Sequence, residues 1–154
     1  MAVLEEQPTG SRDGNKDVDF DVVVVGAGFA GLYAVHVLRQ HGFTARAYEK
    51  GDGIGGTWFW NRYPGARVDI QSCEYMFTKF ADLEQEWDWT ELMPAQQEIE
   101  RYLNFVADRL KLYDAIQFNT TVTQMTFDEA SATWTVETDS GARVVAPLVV
   151  AATG

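Results

Sequence analysis

The sequence predicts an α/β fold in which a central parallel sheet is joined by a small antiparallel β-meander. Three observations lead to this prediction: a valine-rich run at residues 20–25 ends at the turn GAGFAG, a helical period follows that turn, and short alternating segments occupy residues 116–146. A buried strand, a glycine-rich turn and a helix in this order begin a parallel β-α-β unit. A wholly apolar run at residues 148–152 predicts that the chain returns to the parallel sheet.

Composition excludes several classes of protein. The chain has 154 residues and 46% apolar content, which is enough for one globular domain, and its formal net charge of −11 disfavours a nucleic-acid partner or an anionic membrane surface. One cysteine, Cys73, and two histidines are too few for a zinc cluster. No apolar run approaches the roughly 20 residues of a membrane span, and the acidic N-terminus does not resemble a signal peptide. We therefore expect a cytoplasmic protein.

The beginning of the chain predicts a leader followed by a buried strand. Residues 1–18 are rich in charged and small residues without periodic apolar positions, so a flexible leader is expected there and the fold is expected over residues 19–154. Residues 20–25 form a nearly unbroken β-branched run, which is typical of a parallel strand covered on both faces.

A helix and a second strand complete the first unit. Leu32, Val35 and Leu38 recur at helical spacing, and Gly42 then supplies a helix stop. Residues 44–49 predict a short strand. Together these elements make a β-α-β unit of about 30 residues, the size that a right-handed parallel crossover needs.

The remaining chain predicts helices first and strands afterwards. Helices are expected over residues 70–80 and, with a clearer apolar face, over residues 96–112. Residues 55–69 contain too many Gly and Pro residues for a helix or a central strand. The strands assigned to the meander are residues 116–119, 121–127, 133–138 and 143–146.

A G-x-G-x-x-G motif, formed by Gly26, Gly28 and Gly31, joins the first strand to the first helix. In dinucleotide-binding folds the first glycine permits a tight turn, the second lets the backbone approach a pyrophosphate, and the third allows close helix packing. The phosphates would lie against the free amides and the positive end of the helix that starts near Ala30. A glycine-rich turn without a ligand is the alternative interpretation.

Glu49 extends this interpretation to the sugar of the ligand. It ends the second strand about 20 residues after the glycine motif, where a carboxylate can accept hydrogen bonds from both hydroxyls of an adenosine ribose. The same carboxylate would repel a 2′-phosphate, so FAD or NAD is favoured over NADP. A second glycine-rich turn at residues 51–56 would let the chain follow a longer cofactor, which favours FAD. Alternatively, Glu49 is only a solvated strand end beside Lys50.

The segment GGTWFWNRYPGARVD at residues 55–69 adds a longer motif. GAGFAG, the strand-end glutamate and G-G-x-W together resemble the FAD-binding start of class B flavoprotein monooxygenases. Within that class, the further Tyr-Pro-Gly and Asp are similar to the Baeyer–Villiger monooxygenases, and the resemblance extends from about residue 19 to residue 154. The residues that carry it are Gly55, Gly56, Trp58, Tyr63, Pro64, Gly65 and Asp69.

The resemblance implies a Rossmann-like FAD-binding domain and a set of site residues. Asp69 would lie near the flavin and orient a catalytic arginine, which makes it the implied catalytic residue. Tyr75 would bind near the flavin phosphates, Val122 would contact adenine through its backbone, and Gly154 would belong to a turn close to FAD. The implied cofactor contacts are Gly26, Gly28, Ala30, Gly31, Glu49, Lys50, Gly56, Thr57, Trp58, Trp60, Arg67, Asp69, Tyr75, Val122 and Gly154.

The resemblance also implies a reaction. A protein of this family would use FAD and NADPH to insert one oxygen atom from O2 next to a ketone carbonyl, which gives an ester or a lactone. The family's arginine, its second glycine motif for NADPH and its F-x-G-x-x-x-H-x-x-x-W motif are absent from the 154 residues. We therefore expect residues 19–154 to be the N-terminal part of an FAD-binding domain, with the NADPH domain in a downstream segment of the same protein. By itself this part is not expected to complete a catalytic cycle.

Two other functional classes stay open. A flavin monooxygenase that acts on nitrogen or sulfur shares the glycines and G-G-x-W, and a non-enzymatic nucleotide-binding module would suit the short length. Among the other residues, Cys73 is expected to be a buried small apolar residue, and Trp87 and Trp89 are expected to serve packing. Without the longer motif, Asp69 would be interpreted as the cap of a helix that begins near residue 70.

Overall fold

The computed structural model describes residues 18–154, which form two sheets and four helices. The predicted leader at residues 1–18 lies outside the described residues except for its last position. Two 3₁₀ turns, Ser72–Glu74 and Tyr113–Ala115, accompany the elements. The elements are β1 (Val22–Val25), α1 (Phe29–Gln40), β2 (Ala45–Tyr48), α2 (Thr57–Trp60), α3 (Ala81–Glu86), α4 (Gln96–Arg109), β3 (Ile116–Gln117), β4 (Val122–Asp128), β5 (Thr133–Thr138), β6 (Arg143–Ala146) and β7 (Leu148–Ala151).

The larger sheet is parallel and has the strand order β3-β2-β1-β7. Its central strand β1 is buried on both faces. Val22 and Val24 pack into the core formed with α1 and α4, whereas Val23 packs against the three-stranded antiparallel sheet β4-β5-β6. This double burial explains the unbroken valine run, and it confirms the predicted α/β fold with a small meander.

The two long helices supply most of the core on one face of the parallel sheet. Leu32 and Val35 of α1 pack in one cluster with Ile99, Leu103 and Val106 of α4, and all five side chains are buried. These residues recur at three- and four-residue intervals, so each helix turns one apolar stripe toward the sheet. Both helices were predicted, and α4 ends three residues earlier than the predicted limit of 112.

Both helices end in the same hydrogen-bonded motif. After α1, the Gly42 amide donates to Arg39 and the Phe43 amide donates to Leu38; after α4, the Lys111 amide donates to Asp108 and the Leu112 amide donates to Ala107. This pair of bonds is a Schellman motif, in which one residue adopts the left-handed conformation. That residue is Gly42 in the first case, with φ of 79°, and Lys111 in the second, with φ of 53°.

Residues 70–80 do not form the predicted helix. The chain there follows bends and a turn at residues 78–79, with the 3₁₀ turn Ser72–Glu74 as its one helical stretch. The Ser72 amide donates to the Leu92 carbonyl at 2.7 Å, and the Phe77 amide donates to the Tyr102 hydroxyl at 2.8 Å. Tertiary acceptors therefore satisfy backbone donors that an α-helix would have used, which outweighs the local apolar spacing. The helix that does form, Ala81–Glu86, was not predicted.

Two further assignments were wrong. The predicted strand at 116–119 belongs to the parallel sheet and not to the meander, because Ile116 pairs with Ala47 of β2. A two-residue strand has too little periodicity to reveal its partner. The segment 55–69 does contain a helix, although it is only the single turn Thr57–Trp60. No helix within residues 18–154 is long and apolar enough to cross a bilayer.

We expect Lys111→Gly to raise the free energy of unfolding by up to about 1 kcal/mol, because glycine adopts the left-handed conformation without a Cβ penalty. Gly42→Ala, at the equivalent position after α1, is expected to lower it by about 1 kcal/mol. Urea unfolding followed by circular dichroism measures both. A destabilising effect of Lys111→Gly would contradict the backbone strain assigned to this position.

An ion pair ties the end of α1 to the 3₁₀ turn before β3. Arg39 donates from Nη1 to Asp114 Oδ1 at 2.7 Å and from Nη2 to Asp114 Oδ2 at 3.2 Å, and it also donates to the Lys111 carbonyl at 3.1 Å. The hydrogen bonds from Arg39 to the carboxylate, opposed only in part by desolvation, lower the pKa of Asp114 below its ordinary value.

Because the pKa of Asp114 is lower in the folded chain, its ion pair stabilises the fold fully above the pKa of an aspartate in the unfolded chain, about 3.9. This stabilisation is lost as the pH falls through the pKa of Asp114 in the folded chain. Since the pair is exposed, Asp114→Asn is expected to cost at most about 1 kcal/mol at pH 7. Urea unfolding at pH 7 and at pH 3 should show this cost shrinking in acid. Asp139→Asn, at another exposed carboxylate, is the control, and a cost that persists unchanged in acid would contradict the assignment.

Candidate active site

A cavity of about 550 Å³ lies at the carboxyl ends of β1, β2 and β7. In open α/β sheets, ligands bind outside this edge of the sheet. The glycine turn after β1, the turn after β2, the helix α2 and the Thr120–Thr121 pair all reach it. The predicted site residues that line it are Gly26, Gly28, Ala30, Glu49, Lys50, Gly56, Thr57, Trp58, Trp60, Tyr75, Val122 and Gly154.

The first and third glycines of the motif are fixed by backbone packing. Gly26 has φ of +103°, and a Cβ there would lie 2.5 Å from the carbonyl oxygen of Ala152, the residue after β7. A Cβ on Gly31 would lie 2.0 Å from the Gly26 carbonyl oxygen. Gly31 therefore sits behind the turn, where it lets α1 approach β1, and it does not line the cavity.

The second glycine of the motif meets the second glycine-rich turn. A Cβ on Gly56 would lie 2.9 Å from the Gly28 Cα, and one on Gly28 would lie 3.3 Å from the Gly56 Cα. The Gly55 amide also donates to the Ala27 carbonyl at 3.1 Å. The two turns thus pack backbone against backbone, which is a second reason for glycine at these positions besides the approach of a ligand.

Glu49 lies between the same two turns. Its side chain accepts the Ala27 amide at Oε2 and the Gly51 amide at Oε1, each at 2.8 Å, and the residue is only 4% exposed. The alternative that Glu49 is a solvated strand end is therefore wrong. Each carboxylate oxygen accepts one of these amides and keeps a further lone pair for a ligand hydroxyl.

The N-terminus of α1 faces the cavity without a protein cap. Gly28 occupies the N-cap position, no side chain among the described residues caps it, and the first turn holds no acidic residue. The first amides of a helix have no partner within the helix, and the helix dipole adds positive potential there. This end of the cavity therefore suits an anionic group such as a diphosphate.

Aromatic side chains form another part of the cavity wall. The Trp58 Nε1 donates to the Tyr75 hydroxyl oxygen at 2.9 Å, and the Tyr75 ring packs edge-on against Phe29 with centroids 5.0 Å apart. Because its oxygen accepts this bond, the Tyr75 hydroxyl hydrogen can be donated to a ligand. Trp60 lies nearer to Glu49, half-exposed, with the Lys50 ammonium 4.9 Å from its ring.

Besides Gly31, two predicted site residues lie outside the cavity. Arg67 pairs with Glu91 at 2.8 Å and donates to the Met93 carbonyl at 2.8 Å. Asp69 is exposed, and within residues 18–154 its side chain makes no hydrogen bond. It does not cap an α-helix, since none begins near residue 70.

Other expectations had mixed outcomes. Cys73 is exposed, so its expected burial is wrong; the 3₁₀ turn directs Ser72 inward instead. Trp87 and Trp89 pack against the Tyr102 ring with centroid distances of 5.4 and 4.9 Å, which confirms their packing role. Burial raises the pKa of Tyr102 to about 12.

The sequence reasoning missed polar residues that follow β3. Thr120 and Thr121 line the cavity, and the Thr120 amide donates to the Glu49 carbonyl at 2.9 Å. Asn61 and Thr153 were also missed. The signal for the threonines was present: N-T-T directly follows a short apolar strand, and the carboxyl ends of parallel strands share one edge. The threonines were not recognised as site residues because that strand was assigned to the meander.

The fold and the cavity together define a Rossmann-like dinucleotide-binding segment. In agreement, the family model of the NAD(P)-binding Rossmann-like domain matches residues 24–89. The chain is similar to the acetone monooxygenase (methyl acetate-forming) of Gordonia sp. (strain TY-5), with 45% identity over 134 residues, 87% of this chain and 25% of that protein. A Baeyer–Villiger monooxygenase of Pseudooceanicola batsensis is 44% identical over 88% of this chain and 25% of its own length.

Further relatives extend this similarity. The phenazine N-monooxygenase PhzNO1 of Lysobacter antibioticus is 40% identical over 91% of this chain and 26% of its own length. An oxidised steroid monooxygenase bound to NADP superposes with a TM-score of 0.86 and 52% identity, over 88% of this chain and 26% of that one. The structure of OTEMO complexed with FAD and NADP gives a TM-score of 0.86 at 37% identity, over 90% of this chain and 26% of that one.

The predicted resemblance to the N-terminal segment of the Baeyer–Villiger monooxygenases is thereby confirmed. The chain spans about a quarter of the length of the curated relatives that it matches.

We expect Gly31→Ala to destabilise the chain by about 2–3 kcal/mol or more, because the added methyl group would overlap a backbone carbonyl that cannot move away. Gly141→Ala, in an open turn with nothing within 4 Å of the new Cβ, is the control and is expected to cost about 1 kcal/mol of backbone strain. Urea unfolding distinguishes the two. Equal losses would show that the close packing of α1 on the turn is unimportant.

Proposed function

We propose that this chain is the N-terminal part of the FAD-binding domain of a Baeyer–Villiger monooxygenase. The observation that carries the proposal is that a buried carboxylate and an uncapped helix N-terminus face one cavity. Amides at the helix end suit a diphosphate, and the Glu49 carboxylate suits the hydroxyls of a ribose. The structures of relatives in complex with FAD and NADP support the proposal.

The residues of the cavity fit FAD. Glu49 has free lone pairs beside the glycine turns, Tyr75 has a hydroxyl hydrogen to donate, and the Trp58–Tyr75 pair offers an apolar wall. A volume of about 550 Å³ lies in the range of small-molecule sites. We assign Gly26, Gly28, Ala30 and Gly56 to the diphosphate region, and Lys50 with Val122 to the adenosine end.

The flavin end is proposed to lie toward α2. Thr57 and Trp58 would surround this half of the cofactor, and the backbone at Gly154 would pass close to it. Trp60, whose ring lies 4.9 Å from the Lys50 ammonium, would instead border the ribose and adenosine end. We propose that Gly31 acts only through the packing of α1. Arg67 and Asp69 lie on an exposed segment, which we propose faces the flavin–nicotinamide region once the rest of the protein is present, with Asp69 orienting a catalytic arginine there.

The proposed reaction is the conversion of a ketone to an ester or lactone. Ketone, O2, NADPH and one proton give the ester, NADP⁺ and water. Bound FAD supplies the redox chemistry with O2, and NADPH supplies the electrons. The residues described here would hold the diphosphate and ribose and limit the access of water to one face of the flavin. We place the NADPH site and the ketone pocket outside residues 18–154, in a downstream segment of the same polypeptide.

A second candidate function is oxygenation at nitrogen. The similarity to a phenazine N-monooxygenase supports it, since that relative matches nearly the whole of this chain. Product analysis of a polypeptide carrying the downstream segment, with cyclic ketones and with phenazine as substrates, separates the two reactions. A purified chain that is colourless and takes up no added FAD would instead support a module that binds no flavin.

We also propose a cytoplasmic location. The 154 residues hold one cysteine, Cys73, which has no partner for a disulfide among them, and this is typical of proteins in a reducing compartment. Fractionation of cells that express the protein tests this proposal directly.

The FAD assignment predicts that Glu49→Gln weakens FAD binding by about 10- to 100-fold, which corresponds to the loss of charged hydrogen bonds. The new amide group would also place a donor against the Ala27 or Gly51 amide. Titration followed by the quenching of flavin fluorescence measures the affinity. Glu129→Gln, at an exposed turn, is the control. An unchanged affinity for Glu49→Gln, in a variant with normal thermal stability, would contradict the proposed ribose contact.

A further inference from the structure

The helix α2 contributes Thr57, Trp58 and Trp60 to the cavity but consists of a single turn. One helical turn is unstable on its own, because nucleation fixes several residues for very few hydrogen bonds. Its last carbonyl groups also lack hydrogen-bond donors within the helix. Contacts from elsewhere must therefore hold this part of the cavity wall in place.

One of these contacts comes from Gln96, the first residue of α4. Gln96 is 2% exposed, which is unusual for a glutamine. Its Nε2 donates one hydrogen to the Trp58 carbonyl and the other to Glu100 Oε2 at 2.7 Å. The side chain thus joins the backbone of the cavity tryptophan to the long helix of the core.

Glu100 extends this connection to a second carbonyl of α2. Its Oε1 pairs with Arg62 Nη2 at 2.6 Å. Arg62 in turn donates from Nε to the Phe59 carbonyl at 2.8 Å, and its guanidinium lies 4.9 Å from the Phe59 ring centroid. Gln96, Glu100 and Arg62, named here the α2 clamp, therefore hold two successive carbonyls of the turn.

We propose that the α2 clamp positions Trp58 for contact with the flavin half of FAD. This inference rests on the proposed FAD binding. None of the three clamp residues is among the described residues that line the cavity. They are therefore positioning residues, which act on the ligand only through α2.

The clamp acts on one end of the cavity. The clamp holds the Trp58 carbonyl, whereas Glu49 is fixed separately by the Ala27 and Gly51 amides. Loss of the clamp should therefore displace the wall that faces the flavin and leave the sites of the diphosphate and the ribose intact. A general structural defect would weaken both ends alike.

The test compares the affinities of the 154-residue chain for FAD and for ADP, which lacks the flavin half. Gln96→Leu removes both donors and leaves the Trp58 carbonyl buried without its partner. We expect FAD to bind about 10-fold more weakly and ADP to bind within about 2-fold of its original affinity. Gln97→Leu is the matched control, since Gln97 is the next residue of the same helix and is exposed.

Arg62→Met provides a second variant at an exposed position, where misfolding is not expected. It keeps the aliphatic contact with Phe59 but removes the guanidinium, and it should weaken FAD binding about 3-fold without an effect on ADP. Equal losses for FAD and ADP, or no loss in either variant, would overturn the clamp. If the unaltered chain binds ADP but not FAD, the proposed function itself fails, which is a distinguishable result.

Discussion

The hydrogen bonding of one buried carboxylate organises the site. Glu49 directly follows β2, and it accepts amides from the turn after β1 and from the turn that comes next in the chain. Burying an unpaired carboxylate would cost several kcal/mol, and charge-assisted hydrogen bonds from backbone amides offset this cost. The two turns must therefore stay in place around Glu49, and the cavity takes its shape from them.

Contacts between backbones make this arrangement rigid. Gly28 and Gly56 meet where neither tolerates a Cβ without displacement, and Gly31 lets α1 approach the Gly26 carbonyl. A site built from backbone amides and glycine contacts has few side-chain rotamers to adjust. The helix dipole of α1, the Glu49 carboxylate and the aromatic wall therefore keep fixed relative positions, which suits a cofactor that is long and polar at one end and flat at the other.

The parts of this fold that depend on near neighbours in sequence were predictable. The valine run, the glycine turn and the helical stripe of α1 identified β1 and α1, and Gly42 identified the end of that helix. The predicted carboxylate, Glu49, proved to be buried at the cavity. In each case a local periodicity or a local conformational requirement determined the structure, so one segment contained the whole signal.

The parts that depend on distant partners were not predictable. Residues 70–80 do not form a helix because amides in this segment donate to Leu92 and Tyr102. The strand β3 belongs to the parallel sheet because it pairs with β2. The sequence by itself determined the strands and the helix of the β-α-β unit, together with the glycines and the glutamate at the carboxyl ends of its strands. Only the tertiary structure decided which polar residues reach the cavity and which residues hold α2. Hydrogen bonds between segments far apart in the chain produce no periodic pattern in the sequence.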